Sequence, residues 1–305
     1  MGVAGAHIID NPSRPTSHDV VAVARRALGT RQIGHAGTLD PLATGVLVLL
    51  VGRATRLSQF IVHDDKEYVA GIRLGRSTAT YDAEGLTDNS QLPIPNSQID
   101  QLGSWELGVG RLSEVLGDFR GTFCQQPPPF SAKKVAGRRA YERARRDEPV
   151  EMKPVQVTVH ELERLGSTEP SLLRLRLVVS AGFYVRSLAH DIGQRLGCGA
   201  YLESLRRARS GPFRIEDSIA LDALATAPAL VPINRLVEEI PAVTLSESGL
   251  RFASHGNAVG IRHITDGTPG GAPEGLVRML APGGDLIAIG RREADGLLHP
   301  QIVLV

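Results

Sequence analysis

Runs of alternating or continuous apolar residues predict the main strands of this chain. Leu172–Ser180 has leucine or valine at every second position and arginine at two of the positions between them, which is typical of a half-buried strand. Val46–Val51 is continuously apolar and predicts a buried strand. Shorter runs predict strands at His7–Asp10 and Tyr68–Leu74.

Two segments carry the signals of helices. Between Ser17 and Gly29 apolar residues recur at helical spacing, so we expect a helix that is capped by Ser17 and ended by Gly29. A second helix is predicted over Tyr184–Leu196, between a glycine turn and Gly197. Strands that alternate with few helices indicate an α+β fold, with a mostly antiparallel mixed sheet flanked by helices.

The character of the sequence changes near Ile240-Pro241. Residues 241–305 are rich in glycine, and turn signals separate apolar runs at Leu276–Leu280, Leu286–Ile289 and Ile302–Val305. The pattern predicts a small β-rich domain after a larger domain over residues 1–240. A structural cap and an accessory binding module are both open as its role.

Composition excludes several classes of protein. The chain has 305 residues, of which 42% are hydrophobic and 22% charged, and this argues against disorder. Its longest aliphatic run has six residues, whereas a bilayer span needs roughly 20. With no visible signal peptide, we expect a cytoplasmic protein without a membrane partner. Cys124 and Cys198 are too few for a disulfide scaffold or a zinc site.

The strongest chemical signal is the loop predicted at Gly34–Gly45. Its one carboxylate, Asp40, precedes a proline and is therefore pushed towards extended geometry. Gly37 and Gly45 allow sharp turns or a close approach of the backbone to a ligand, and His35 lies five residues upstream of Asp40. The spacing is not that of a phosphate-binding loop. Read alone, the pattern also fits an aspartate that makes only a turn hydrogen bond.

Read whole, this loop resembles the catalytic motif of the TruB-type tRNA pseudouridine synthases. Residues 34–47 match G-H-x-G-T-L-D-P-x-A-x-G-x-L at every fixed position. Further motifs follow in the family's order: K-x-Y at Lys66-Glu67-Tyr68, Y-x-R at Tyr184-Val185-Arg186, L-x-R at Leu205-Arg206, and an RNA-contacting insertion near residues 127–141. The tail is similar to the family's PUA module.

The resemblance implies a fold and a domain organisation. Residues 1–240 are expected to form a pseudouridine synthase domain, with an RNA-gripping insertion at about residues 120–152. Residues 241–305 are expected to form a PUA-like RNA-binding domain. The implied partner is tRNA, bound at its T-arm stem-loop, and we expect a monomer without an obligate protein partner.

The implied reaction converts the uridine at position 55 of the tRNA T-arm to pseudouridine after the base has been flipped out. The base leaves ribose C1′, turns and rejoins through C5, so no cofactor and no metal is required. Asp40 is the implied catalytic carboxylate, either by covalent addition to C1′ or by assisting formation of a glycal. Arg186 is its implied ion-pair partner, and Tyr68 is implied to stack on the base and accept a proton.

Several further residues are implied to bind the RNA. His35 would contact the everted nucleotide, Leu205 would form an apolar wall, and Tyr184 would pack beneath the base. The remaining candidates are basic: Lys66, Lys133, Lys134, Arg138, Arg139 and Arg143. For Leu205 the alternative is ordinary core packing, and for the basic run it is a solvated helix face.

Charge is balanced overall but unevenly distributed. The formal net charge is +1, yet residues 133–146 hold seven basic residues and one acidic residue, so this window carries +6 and the remainder −5. Arg206, Arg207 and Arg209 form a second basic cluster. We therefore expect a local basic surface that faces RNA, rather than a uniformly basic protein.

The sequence departs from the family's pattern at three positions. In the motif D-K-P-x-G-x-T-S, Asn11 replaces the lysine and Arg14 replaces the glycine, and Ala79 replaces the aspartate of T-D-T. The changes at Asn11 and Arg14 keep open an RNA-binding or chaperone protein whose catalysis is dispensable. Two further alternatives are a guide-RNA-dependent pseudouridylase and a hydrolase that uses Asp40 and His35.

Overall fold

The structure is a computed structural model that describes residues 4–86, 105–130, 134–135, 138–139, 152–226, 230–267 and 275–305. The α-helices in these ranges are α1 (Ser17–Ala27), α2 (Ser58–Ile61), α3 (Trp105–Gly117), α4 (Val185–Leu196) and α5 (Glu247–Ser254). The strands before α4 are β1 (Gly5–Asn11), β2 (Ile33–Ala36), β3 (Ala43–Val51), β4 (Lys66–Leu74), β5 (Gly121–Gln125), β6 (Lys134–Val135), β7 (Arg138–Arg139), β8 (Val155–Leu165) and β9 (Leu172–Val179). The strands after α4 are β10 (Ala200–Ser210), β11 (Phe213–Arg214), β12 (Ile219–Ala220), β13 (Val231–Pro232), β14 (Ala242–Leu245), β15 (Ile264–Asp266), β16 (Leu276–Leu280), β17 (Leu286–Arg292) and β18 (Leu298–Val303).

One large mixed sheet organises the first part of the chain. Its strands follow the order β12-β1-β3-β10-β4-β9-β8-β5, and β2, β11 and β13 pair at its sides. Most neighbours are antiparallel, but β3 and β10 run parallel. This confirms the predicted α+β class. The β3–β10 pair matters most for function, because it brings residues 43–45 beside residues 205–207.

The predicted strands and helices are present, with shifted ends. In β9 the alternate residues from Leu173 to Val179 are buried and Arg174 is exposed, as the pattern predicts. Helix α1 is capped by Thr16 and not by Ser17, because the Thr16 hydroxyl accepts a hydrogen bond from the Asp19 amide in a capping box. The predicted loop Gly34–Gly45 is shorter than expected, since its first residues pair with β3 as strand β2.

Two cores cover the two faces of the central strands. The first core lies between the sheet and helices α1, α3 and α4. The second core joins residues of β1 and β3, among them Ile8 and Val48, to Leu286, Ile289 and Leu304 from the C-terminal region. Residues of the C-terminal part therefore contribute to the same apolar core as the strand that follows the Asp40 loop.

The C-terminal residues form a second sheet, with the order β15-β14-β16-β17-β18 and helix α5 packed against it. The predicted runs at 276–280, 286–289 and 302–305 correspond to β16, β17 and, less closely, β18. No helix among the described residues combines the length and apolar character needed to cross a membrane.

The predicted RNA-gripping insertion lies mostly outside the described residues. Strands β6 and β7 pair with each other, and they carry Lys134, Arg138 and Arg139. Lys133 and Arg143 lie outside the described ranges. The predicted contacts of this basic segment with RNA therefore stay predictions.

Candidate active site

Asp40 lies in a tight loop between the paired strands β2 and β3. The Asp40 carbonyl accepts a hydrogen bond from the Ala43 amide at 2.9 Å, and the next carbonyl, that of Pro41, accepts from the Arg14 amide at 2.9 Å. The Ser17 hydroxyl accepts from the Leu39 amide at 3.0 Å. These bonds fasten the loop to the start of α1 and leave the Asp40 side chain 34% exposed.

The carboxylate of Asp40 is paired with Arg186 on the first turn of α4. Arg186 Nε donates to Asp40 Oδ2 at 2.8 Å, and Nη2 donates to Oδ1 at 2.9 Å. The ion pair predicted from the sequence is therefore present, in a two-bond geometry that fixes the plane of the carboxylate. The Arg186 side chain is 7% exposed, whereas Asp40 keeps access to solvent.

The third guanidinium nitrogen of Arg186 is also engaged. Nη1 donates to the Phe130 carbonyl at 2.9 Å and lies 3.4 Å from Oδ2 of Asp82, whose side chain is 4% exposed. The Thr80 hydroxyl donates to the other Asp82 oxygen at 2.5 Å. Burial raises the pKa of Asp82, while the Thr80 hydrogen bond and Arg186 oppose that shift. Arg186 is thus held from the side opposite to Asp40.

Tyr68 and Leu205 are positioned by sheet register. Arg207 in β10 pairs with Gly45 of β3 on one side and with Tyr68 of β4 on the other. Tyr68 is half-buried and packs against the first core, and Leu205 is buried in that core beside Ala43. Both predicted residues therefore lie on strands close to the end of the Asp40 loop.

His35 lies on β2, just before the loop. Its ring meets that of His18 edge-on, with 5.8 Å between the ring centroids. Its Nδ1 atom is buried and has no hydrogen-bond partner among the described residues. Burial lowers the pKa of His35, and the charges of His18 and Arg207 lower it further, so protonation of the ring is disfavoured.

Two other predicted binding residues have clear structural contacts. The Tyr184 backbone exchanges two hydrogen bonds with the amide side chain of Gln125, at 2.8 and 3.0 Å, directly before α4. The buried ammonium of Lys66 donates to the carbonyls of Val62, at 2.7 Å, and Asp64. Burial, with the nearby Arg207, lowers the pKa of Lys66 to about 8. Lys66 therefore closes the turn between α2 and β4.

The three departures from the family pattern lie close to the site but leave it intact. The buried Asn11 amide donates to the carbonyls of Pro12 and Ala43, so it ties β1 to the start of β3. Arg14 has a φ of 92°, a left-handed conformation in which glycine is least strained. Ala79 lies between Thr78 and Thr80, whose hydroxyls both donate to Asp82.

Two functional candidates were missed by the sequence reasoning. Asp82 follows the Thr78-Ala79-Thr80 stretch by two residues, and a search for carboxylates near that motif would have found it. Arg207 was grouped with Arg206 and Arg209 as part of a basic RNA-facing surface, which is wrong for Arg207 because its side chain is 1% exposed. Arg206 is exposed but paired in two hydrogen bonds with Asp10.

Comparison with known proteins identifies the family of this chain. A family model for the N-terminal domain of TruB family pseudouridylate synthases matches residues 25–185. Models for the tRNA pseudouridylate synthase B C-terminal domain and for the C-terminal region of pseudouridine synthase II TruB match residues 186–238 and 241–304. The chain belongs to the TruB family of pseudouridine synthases.

Individual relatives of this TruB-family chain match over its full length. A tRNA pseudouridine synthase B from Solibacter usitatus is 40% identical over 308 residues, which cover 98% of this chain and 99% of the relative. One from Aquifex aeolicus is 38% identical and covers 99% of both chains. Members of this family are isomerases, and the same enzyme class holds for this chain.

Solved structures show the same fold. The chain superposes with a TM-score of 0.73 and 26% identity on a chain of a Cbf5-Nop10-Gar1 complex, covering 99% of this chain and 85% of that one. A chain from an H/ACA RNP bound to a substrate RNA gives a TM-score of 0.72 at 25% identity, with the same coverage. The predicted pseudouridine-synthase fold is thereby confirmed.

Proposed function

We propose that this enzyme isomerises the uridine at position 55 in the T-arm of tRNA to pseudouridine, with Asp40 as the catalytic carboxylate. Family membership and the names of its relatives support tRNA pseudouridylation as the reaction class. The observation that carries the assignment of Asp40 is its two-bond pair with Arg186. A carboxylate that is oriented and still open to solvent is the group that an attack at C1′ needs.

Each neighbour has a role in this proposal. The target base flips out of its stack, and contacts from the protein offset the few kcal/mol that flipping costs. Tyr68 stacks on the base and accepts a proton at the sugar, Leu205 forms the apolar wall, and Tyr184 packs beneath. Arg186 holds the Asp40 carboxylate in plane, and Asp82 holds Arg186.

The reaction conserves atoms, so no cofactor enters it. The C1′–N1 bond breaks, the base turns, and a C1′–C5 bond forms; C5 then loses its proton to solvent and N1 takes up one proton. Asp40 either forms a covalent ester with C1′ or removes a proton from the sugar to give a glycal. Both routes need the same oriented carboxylate, and they differ in whether an Asp40–ribose adduct forms.

Recognition of tRNA in this proposal rests on the basic window at residues 133–146 and on the C-terminal sheet. The window carries +6, so it supplies a local contact for RNA phosphates in a chain of net charge +1. The C-terminal part acts as a PUA-like domain that contacts the acceptor stem. We propose that the enzyme works as a monomer.

The direct test is to incubate the protein with an unmodified tRNA transcript and to map pseudouridine by carbodiimide treatment and primer extension. We expect one stop, at position 55, and none when that uridine is replaced by cytidine. A T-arm stem-loop should also be modified. Product that forms only when a guide RNA is added would favour the guide-dependent alternative, and RNA binding without product would favour the chaperone alternative.

A further inference from the structure

Among the residues that the structure describes, Arg207 is the largest side chain that is almost completely buried, and it lies directly behind the Asp40 loop. Its side chain is 1% exposed, and no salt bridge joins it to a carboxylate within the described part of the chain. Burying a charged group without a counter-ion is costly. A position that retains such a group next to an active site is a candidate for function.

The guanidinium of Arg207 is bonded to main-chain carbonyls on both sides of Asp40. Nε donates to the Val46 carbonyl at 2.7 Å, downstream of the loop. Nη2 donates to the Gly37 carbonyl at 3.1 Å and Nη1 to the Thr38 carbonyl at 3.4 Å, both upstream of it. One rigid, planar group therefore ties the entry of the loop to its exit.

The backbone of Arg207 adds to this connection. Arg207 pairs with Gly45, which has a φ of 98°, and a Cβ atom at Gly45 would lie 2.2 Å from the Arg207 carbonyl oxygen. The absence of a side chain at Gly45 lets β10 approach the loop closely. On its other edge, Arg207 pairs with Tyr68. Arg207 thus connects three features of the site: the loop, its exit strand and the Tyr68 strand.

We propose that Arg207 is a positioning residue for the reaction, which fixes both ends of the loop that carries Asp40. The inference rests on the proposed role of Asp40. Arg186 orients the carboxylate group itself, whereas Arg207 sets the backbone from which that carboxylate projects. A lysine in its place would keep the charge but has one nitrogen to reach three carbonyls, so it restores the geometry only in part.

The charge of Arg207 has a second, measurable effect. The His35 ring meets that of His18 edge-on, and its pKa is lowered by burial first, then by His18 and by Arg207. Loss of the Arg207 charge should therefore raise the pKa of His35. If Arg207 only filled space, replacing it would leave the pKa of His35 unchanged. A shift in that pKa therefore reports the charge of Arg207.

The experiment compares Arg207→Met, Arg207→Lys and a matched control, Arg278→Met, with the wild-type enzyme. Arg278 also donates hydrogen bonds to main-chain carbonyls, those of Ile240 and Glu238, but it lies in the C-terminal region and not beside the Asp40 loop. Single-turnover rates are measured at saturating tRNA, together with RNA affinity, at a temperature where circular dichroism shows the variants folded. NMR titration gives the pKa of His35.

We expect the rate of Arg207→Met to fall at least about tenfold with little change in RNA affinity, because a misplaced reactive group slows chemistry rather than binding. The single-turnover rate of Arg207→Lys should lie between those of Arg207→Met and the wild type. If the methionine variant does not fold, the rate of the lysine variant tests the proposal. Arg278→Met should turn over at close to the wild-type rate. The pKa of His35 should rise in Arg207→Met only.

A wild-type rate in both Arg207 variants, or an equal loss in Arg278→Met, overturns the inference. Asp40→Asn is measured alongside, to separate the two proposals. If Asp40→Asn is inactive and the Arg207 variants are fully active, only the role of Arg207 is refuted. If Asp40→Asn retains its activity, the proposed function itself is refuted.

Discussion

Arg186 holds the two carboxylate oxygens of Asp40 with two nitrogens of one guanidinium, at 2.8 and 2.9 Å. The residues are 146 positions apart in the chain, so the pair joins the loop between β2 and β3 to helix α4. Because the arginine fork matches the carboxylate in its own plane, it sets the direction of the Asp40 oxygens as well as their charge.

Arg186→Lys should therefore reduce turnover by about 100-fold, since lysine keeps a positive charge but cannot form the two parallel bonds. Release of tritium from C5 of labelled uridine in tRNA measures the rate. Arg195→Lys is the matched control on the same helix, where Arg195 pairs with Asp118 at the surface. Similar rates for both variants would show that the geometry of the pair is unimportant.

Asp82→Asn should lower turnover by about tenfold or more without weakening RNA binding, because Arg186 loses its second anionic partner. The free energy of unfolding should not decrease in Asp82→Asn. Because burial raises the pKa of Asp82, the contribution of this carboxyl group to stability is present below the unfolded pKa of 3.8 and is lost as pH rises through the folded value. At neutral pH the ionised form is therefore a cost to folding, which asparagine removes.

Thermal unfolding and tritium release on the same samples test the Asp82 prediction. The exposed Asp118 provides a control variant, Asp118→Asn. Loss of stability and activity together in Asp82→Asn would mean that Asp82 is needed for the fold rather than for holding Arg186.

Arg14→Gly should stabilise the protein by about 1 kcal/mol, because the left-handed φ of 92° strains a residue that carries a Cβ atom. Arg14→Ala keeps the Cβ atom and should bring no such gain. Denaturant unfolding measures both. Equal stability of the glycine and alanine variants would show that the Arg14 backbone is not strained.

Ile289→Ala should lower the free energy of unfolding by about 2–4 kcal/mol and should destabilise the large mixed sheet as well as the C-terminal region. Ile289 belongs to the core that includes Ile8 and Val48, whereas Ile287 belongs to the core of the second sheet. Hydrogen exchange should therefore accelerate at Val46–Val51 in Ile289→Ala. The control Ile287→Ala should affect those amides less, and the opposite order would contradict a shared core.

The thermal midpoint should fall as pH decreases below about 6.5, the unfolded pKa of histidine. Burial lowers the pKa of His7, His35 and His190, so their stabilising contribution is present above the unfolded pKa and is lost as pH falls through their folded values. His190→Phe keeps the ring stacked on Tyr81, at 3.8 Å, and removes one titrating group.

The His190→Phe variant should therefore lose less stability on acidification than the wild type. The exposed His63 supplies the control variant, His63→Gln. If His190→Phe and His63→Gln follow the same pH curve as the wild type, His190 does not contribute to acid sensitivity.

Local patterns predicted what depends on local chemistry. The alternation in β9, the apolar run in β3 and the glycine that ends α4 reflect burial and backbone geometry within a few residues, and the structure contains all three. The helix cap was misplaced by one residue, because Thr16 and Ser17 are both good capping residues and only the capping box with Asp19 selects between them.

Long-range contacts were predicted only where a motif marked them. The Asp40–Arg186 pair was predicted because Arg186 belongs to the Y-x-R motif of the family that the sequence resembles. Arg207 was misread as a surface residue, since arginine on a strand is usually exposed and nothing local shows that a parallel neighbour and a loop enclose it. Asp82 was missed for the same reason, because its burial depends on contacts with α4.

Asp40 is the residue proposed to perform the chemistry, and every other role at the site depends on it. The measurement that tests it is the single-turnover rate of tritium release from C5-labelled tRNA with wild type and Asp40→Asn, with RNA affinity measured in parallel. We expect Asp40→Asn to bind tRNA nearly as well as the wild type and to release no tritium above background. Release at a rate near that of the wild type would contradict this role of Asp40.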